Sequence, residues 1–274
     1  MIGTAGPETS RNERGFALLL VLWALVLLSL IIGHLLAAGR QEAQLAANLR
    51  QATVAETVAD SAVENTIYRL LVGSAPLSGR SSTMLSLPGG IAHIEVRDTA
   101  GLVNPNMAPP PLLSALLQEC GASGVEASHL AQALIDWRSP NDDLRPLVTA
   151  YRAAGLPYAP DGQPFQSAAE VRLVVGMPPA LADCLVPHLS VYSDRQIPIP
   201  VFADATVMHA LMRMMRDSAE APPDAPPDPR GPRAVLITAA GESGGARFVR
   251  QATVRIGGAD PGHPYRILTW SDGT

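Results

Sequence analysis

From Phe16 to Ala38 the chain reads FALLLVLWALVLLSLIIGHLLAA, without a single Asp, Glu or Arg, and Ser29 and His34 are its only clearly polar residues. A helix needs about 20 apolar residues to cross the hydrocarbon of a bilayer, so this run is long enough to span one with some tilt. Arg11 and Arg14 precede it, and the next basic residue is Arg40. That asymmetry predicts a cytoplasmic start and a periplasmic body. Three readings of the run stand open. A cleaved secretory signal has a shorter apolar core and then a small-residue cleavage site, which Ala37-Ala38-Gly39 matches only loosely. A plain signal anchor explains the hydropathy equally well. It does not explain Arg14-Gly15-Phe16, where a short polar leader ends in Gly and an aromatic residue opens the helix.

No Pro or Gly interrupts residues 40–72, and Leu45, Leu49, Ala52, Ala59, Val63, Ile67 and Leu70 recur at helical spacing. Glu42, Arg50, Glu56, Asp60 and Glu64 fall on other faces, and Gly73 and Pro76 supply the stop. Ile91–Arg97 alternates as a half-buried strand, with Ala92, Ile94 and Val96 on one side. Ala234–Ala239, Phe248–Ile256 and Tyr265–Trp270 make three further strand candidates, the second with Phe248, Ala252, Val254 and Ile256 on one face. Between these strands lie helical patterns. Leu112–Leu117 follows Pro109–Pro111, Ser128–Trp137 turns Leu130, Leu134 and Ile135 inward, and Ser167 to Glu170 has a capping-box signature. Ala180–Leu189 and Asp204–Arg216 complete the set, the last with Met208, Leu211, Met212 and Met215 on one side, read as core. The fold class is therefore α+β: a sheet domain interrupted by an all-α insert.

Several chemistries are disfavoured by composition. The basic residues are all Arg, the formal charge is -5, and no basic run occurs, so a nucleic-acid partner held through phosphate neutralisation is not expected. The six His show no metal-ligand spacing. Gly241-Glu242-Ser243-Gly244-Gly245 matches G-x-S-x-G, but it joins two predicted strands and only His263 follows it, so it reads as a glycine-rich hairpin rather than a nucleophile elbow. Asp136, Asn141, Asp142 and Asp143 form the best cation candidate, because calcium takes several oxygen ligands at flexible geometry. Cys120 and Cys184 either pair or stand as two separately buried thiols.

Taken in order, these pieces resemble the K-type minor pseudopilins of type II secretion systems (the GspK family). The resemblance rests on the leader and on Asp98-Thr99-Ala100-Gly101-Leu102-Val103-Asn104-Pro105-Asn106 before a Pro-Leu-Leu helix. Ile135-Asp136-Trp137 with Pro140-Asn141-Asp142-Asp143, then Pro157-Tyr158, Gln163-Pro164-Phe165 and Tyr265–Trp270, follow in the family's order. It implies cleavage by prepilin peptidase between Gly15 and Phe16 and methylation of the new amino group on Phe16. It implies a single-pass inner-membrane protein with its body in the periplasm, partnered by I- and J-type minor pseudopilins and the major pseudopilin. It also implies a non-enzymatic role, at the pseudopilus tip, in export of folded proteins. Leu20 stands where most pilins and pseudopilins carry Glu, a carboxylate that pairs with the subunit ahead; a subunit with none ahead needs no such group. The implied layout is leader 1–15, membrane helix 16–39, amphipathic helix and first sheet part 40–103, SAM-like helical insert 104–217, Pro-rich linker 218–233 and closing strands 234–274. The family binds calcium in its helical domain, but Leu144–Tyr151 here lacks the carboxylates expected after the acidic loop. Two alternatives remain: a minor pilin of a type IV pilus or DNA-uptake system, and a signal-anchored enzyme using Ser243.

Overall fold

A single helix, α1 (Asn12–Leu71), carries the apolar run. The computed structural model describes residues 12–73, 79–140, 144–217, 232–257 and 262–273. These fall into two units that divide between Val54 and Ala55. In the first unit, Phe16–His34 has a mean hydropathy of 2.9 and is long and apolar enough to cross a membrane. Its side chains are exposed, Leu25 and Leu30 among them.

In the second unit, Ala55, Val58, Ala59, Ala62, Val63, Ile67 and Leu70 are buried at three- and four-residue spacing, the stripe that docks a helix on a sheet. The helix stops where Gly73 takes a positive φ of 71°. The sheet has five antiparallel strands in sequential order: β1 (Arg80–Leu87), β2 (Gly90–Asp98), β3 (Arg233–Ser243), β4 (Ala246–Ile256) and β5 (Tyr265–Asp272). Ala92, Ile94 and Val96 of β2 are buried as their alternation predicts. Strand β1 is not evident in the sequence. It is a polar edge strand, RSSTMLSL, with no buried residue, so it carries no apolar alternation to read. Strands β3 and β4 turn through Gly244 and Gly245, both at positive φ, the conformation of a tight hairpin. Gly241 has a packing role: a Cβ there would lie 2.3 Å from the Ala55 carbonyl oxygen, so only glycine lets α1 sit this close.

Strands β2 and β3 are hydrogen-bonded neighbours although the whole helical region lies between them in sequence. That region contains α2 (Pro110–Glu119), α3 (Gly124–Arg138), α4 (Arg145–Ala153), α5 (Pro179–Leu185) and α6 (Ala205–Asp217). Helix α2 packs against α3 and α6. Its buried Leu112, Leu113, Leu116 and Leu117 meet Leu130, Leu134, Phe165, Leu185 and Leu211 in one core.

Four local expectations need correction. Ser167 does not cap an α-helix; residues Ala168–Leu173 form a 3₁₀ helix with no side-chain cap, and Glu170 instead accepts the Gln166 N–H. A reciprocal capping box forms at Ser123 and Glu126, so α3 starts before Ser128. Helix α4 has no counterpart among the helical patterns of the sequence. On α6 the buried stripe is Val207, Ala210, Leu211 and Met214, while Met212 and Met215 are 53% and 46% exposed. Of the stripe read as core, Leu211 is buried and Met208 half-buried, so only its Met212 and Met215 edge faces outward. The Pro-rich linker at 218–231 lies outside the described residues.

Candidate functional site at the junction of sheet and insert

The segment Asp98–Asn106 passes from the end of β2 into the insert, and nearly every polar group on it has a defined partner. The Asp98 carboxylate accepts the Ala100 N–H at 2.9 Å. Burial pushes its pKa up, opposed by that hydrogen bond and by the charges of Arg233 and Arg195. Thr99 Oγ1 donates to the Ala234 carbonyl of β3 at 2.9 Å. Gly101 lies against the Pro200–Phe202 turn so closely that a Cβ would stand 2.0 Å from the Phe202 oxygen. Val103 N donates to His188 O at 3.0 Å and Ser190 N donates back to Val103 O at 2.9 Å, which stitches the start of the insert to a distant part of it.

The two asparagines act as backbone mimics. Asn104 Nδ2 donates to Ser193 O, and its Oδ1 accepts Asn106 N at 2.8 Å. Asn106 Nδ2 donates to Phe165 O at 2.9 Å while its Oδ1 accepts Phe165 N at 2.7 Å. Arg138 donates to the carbonyls of Pro105 and Ala108, and burial lowers its pKa. Phe165 in turn stacks on Trp137, with centroids 5.6 Å apart and planes 4° from parallel. Tyr151 of α4 lies 6.0 Å from Trp137 and accepts the Val175 N–H at 3.0 Å. Burial raises its pKa to about 12.

A second contact locks the insert to the sheet. Arg97 of β2 donates to Asp204 Oδ2 at 2.7 Å and to Pro187 O at 3.0 Å. His188 Nδ1 lies 2.8 Å from the same carboxylate oxygen. Asp204 Oδ1 accepts Val207 N at 3.0 Å and so caps α6. Burial would raise the pKa of Asp204, but the His188 and Val207 hydrogen bonds and the charges of His188 and Arg97 outweigh it, holding the pKa at about 2. These groups position the insert; none is arranged as a nucleophile with its base.

Gly15 and Phe16 both fall within α1, and Phe16 and Leu20 are 68% and 57% exposed. Of the acidic-loop candidates only Asp136 is described, and its Oδ1 accepts Gln132 Nε2 at 2.8 Å. Asn141, Asp142 and Asp143 lie outside the described residues, among which no group of three His, Cys, Asp or Glu could hold a metal. Cys120 and Cys184 form a disulfide, with Cα atoms 5.8 Å apart, that ties the end of α2 to α5. Ser243 pairs with Ala246 at the tip of the β3–β4 hairpin.

One buried arginine belongs to none of the motifs of the sequence. Arg250 of β4 has a side chain only 8% exposed and is ringed by Asp60 at 2.6 Å, Glu56 at 3.0 Å and Asp272. Its guanidinium also lies 4.8 Å from the Phe248 ring centre and 5.5 Å from that of Trp270. Hydrogen bonding to Asp60 leads the effects that raise its pKa. The available signal was its phase: position 250 falls on the same alternating face as Phe248, Ala252 and Val254, opposite Glu56 and Asp60 one helical turn apart.

Comparison with known proteins meets this geometry. Residues 95–194, which include the whole Asp98–Asn106 junction, match the family described as type II secretion system (T2SS), protein K. Type II secretion system protein K of Klebsiella pneumoniae is 32% identical over 98 residues, covering 34% of this chain and 29% of that protein. The aligned part thus spans under a third of that relative. A chain of the GspK–GspI–GspJ complex from the enterotoxigenic Escherichia coli type 2 secretion system superposes with a TM-score of 0.58 at 15% identity, covering 86% of this chain and 99% of that one. Residues 95–194 thus resemble the protein K domain of type II secretion systems, and the chain as a whole shares the fold of a member of that complex.

Proposed function

We propose that this protein is the K-type minor pseudopilin of a type II secretion system, anchored in the inner membrane by the apolar part of α1 with its body in the periplasm. The observation that carries the reading is the match to protein K in a chain that also has a membrane-length apolar helix immediately after Arg14-Gly15-Phe16. In this reading prepilin peptidase removes residues 1–15 and methylates Phe16. The mature subunit joins I- and J-type minor pseudopilins, as its structural neighbour comes from a GspK–GspI–GspJ complex. Leu20, which offers no carboxylate to a subunit ahead, fits a place at the tip. The role is mechanical: the subunit primes a filament that moves folded proteins outward, and it needs no catalytic group. Mass spectrometry of the membrane-extracted protein tests this. A mature chain beginning at N-methylated Phe16 is expected; an intact Met1–Gly15 rejects the reading.

A further inference from the structure

One face of the five-stranded sheet is covered by one helix, and the helix is too narrow for it. Strands spaced about 4.8 Å apart make a five-stranded face about 20 Å wide, whereas a helix with its side chains measures about 10–12 Å across. Helix α1 sits over the middle: Val58 lies near Gly90 of β2, Ala55 and Ala59 touch Gly241 of β3, and Asp60 reaches Arg250 of β4. The two outer strands, β1 and β5, lie at the margins of that face.

The two margins differ in chemistry. Register places Ser81, Thr83 and Leu85 of β1 on the helix-side face, opposite Val96, Ile94 and Ala92. That margin mixes Ser81 and Thr83 with Leu85 and Leu87, and both leucines are already half-buried. Across the sheet, Tyr265, Ile267 and Trp270 of β5 stand on the same face, opposite Ile256, Val254 and Ala252. Their β4 partners are buried, yet these three are 41%, 43% and 37% exposed. A row of large apolar side chains beside a packed helix is a surface lacking its cover.

The flank of this row is acidic. Glu56, Asp60 and Asp272 surround the single guanidinium of Arg250, three carboxylates to one cation. Glu64, one turn beyond Asp60 on α1, is also exposed. A partner matching this surface carries an apolar stripe bordered by Arg or Lys.

We infer that the β5 margin, floored by Tyr265, Ile267 and Trp270 and edged by Asp60 and Glu64, docks an amphipathic helix of another pilin-like subunit, its basic residues facing the acidic flank. The inference rests on the pseudopilin reading and names the surface that reading leaves open. A helix fits better than an added strand. A strand would pair with the free backbone edge of β5 and leave the apolar row on the sheet's face still bare. A helix laid beside α1 covers that row, as α1 covers β2 to β4.

The test uses the full-length chain, coexpressed with the I- and J-type pseudopilins of the same system and captured from detergent extracts. Ile267→Asp is expected to lower co-capture at least tenfold, because it places a carboxylate in the middle of the apolar row that the partner's apolar stripe would cover. Glu64→Arg is expected to lower it several-fold. Met84→Asp, on the opposite face of β1, is expected to leave it unchanged, and none of the three should shift the unfolding temperature of the isolated chain. Wild-type capture by Ile267→Asp, or an equal loss with Met84→Asp, overturns the docking surface alone. Failure of the unmodified chain to capture either subunit overturns the pseudopilin reading and the docking with it.

Discussion

Asp204 joins three parts of the molecule through one carboxylate, and its titration can be isolated from that of the other acids. Its pKa is about 2 in the fold against 3.8 unfolded. A carboxyl whose folded pKa is depressed stabilises the fold above its unfolded pKa and loses that contribution as pH falls through the folded one. The window is therefore about pH 4 down to pH 2, and the contribution above it is about 2 kcal/mol. Asp204→Asn keeps a side chain able to cap α6 while removing the charge. Chemical unfolding at pH 6 should show the variant about 2 kcal/mol less stable, and the gap should close as pH approaches 2; a gap independent of pH would contradict the assignment. Residues of this kind were hard to see in the sequence. Arg97, His188 and Asp204 are each unremarkable polar residues along the chain, and only the return of the insert to β2 brings them together. Arg250 was hidden for another reason: an arginine on an inward face contradicts the expectation that such a face is apolar, and its three acidic partners come from distant segments.

At the scale of elements, the disulfide does most to constrain the insert. It closes 64 residues between α2 and α5, and the chain-entropy account assigns a loop of that length about 4 kcal/mol. The double variant Cys120→Ser, Cys184→Ser should unfold at correspondingly lower denaturant, and reductant should then have no further effect on it, whereas it should destabilise the native chain. Elements with strong periodic patterns were legible: β2, β4 and the amphipathic part of α1 fall where alternation and helical spacing place them. Strand β1 carries no such pattern because neither face is buried. The register of α6 failed because Met208, Leu211, Met212 and Met215 share a helical stripe almost as well as Val207, Ala210, Leu211 and Met214 do, and methionine's apolarity gave no reason to prefer the second. Ser167 and Ser123 show the same limit for caps, since both present Ser with Glu three residues on and only packing decides which one nucleates a helix.

At the scale of the whole molecule, sheet and insert share polar contacts too tightly to melt apart. Thr99 bonds β3, Arg97 bonds the insert, and Asp98–Asn106 belongs to both. A soluble fragment beginning after Arg40, oxidised and purified, is expected to unfold in one cooperative transition, with far-UV and near-UV signals changing together. Two resolved transitions would show that the junction does not couple them. The adjacency of β2 and β3 carries a further consequence for how such chains diversify. Asp98 pairs with Val235, so the intervening segment leaves and rejoins the sheet at one place. Closing a flexible segment between fixed points costs only about 0.6 kcal/mol more for each doubling of its length. The strands are thus indifferent to the size of what they flank, and helices can be lengthened, shortened or exchanged between β2 and β3 while the sheet keeps its shape.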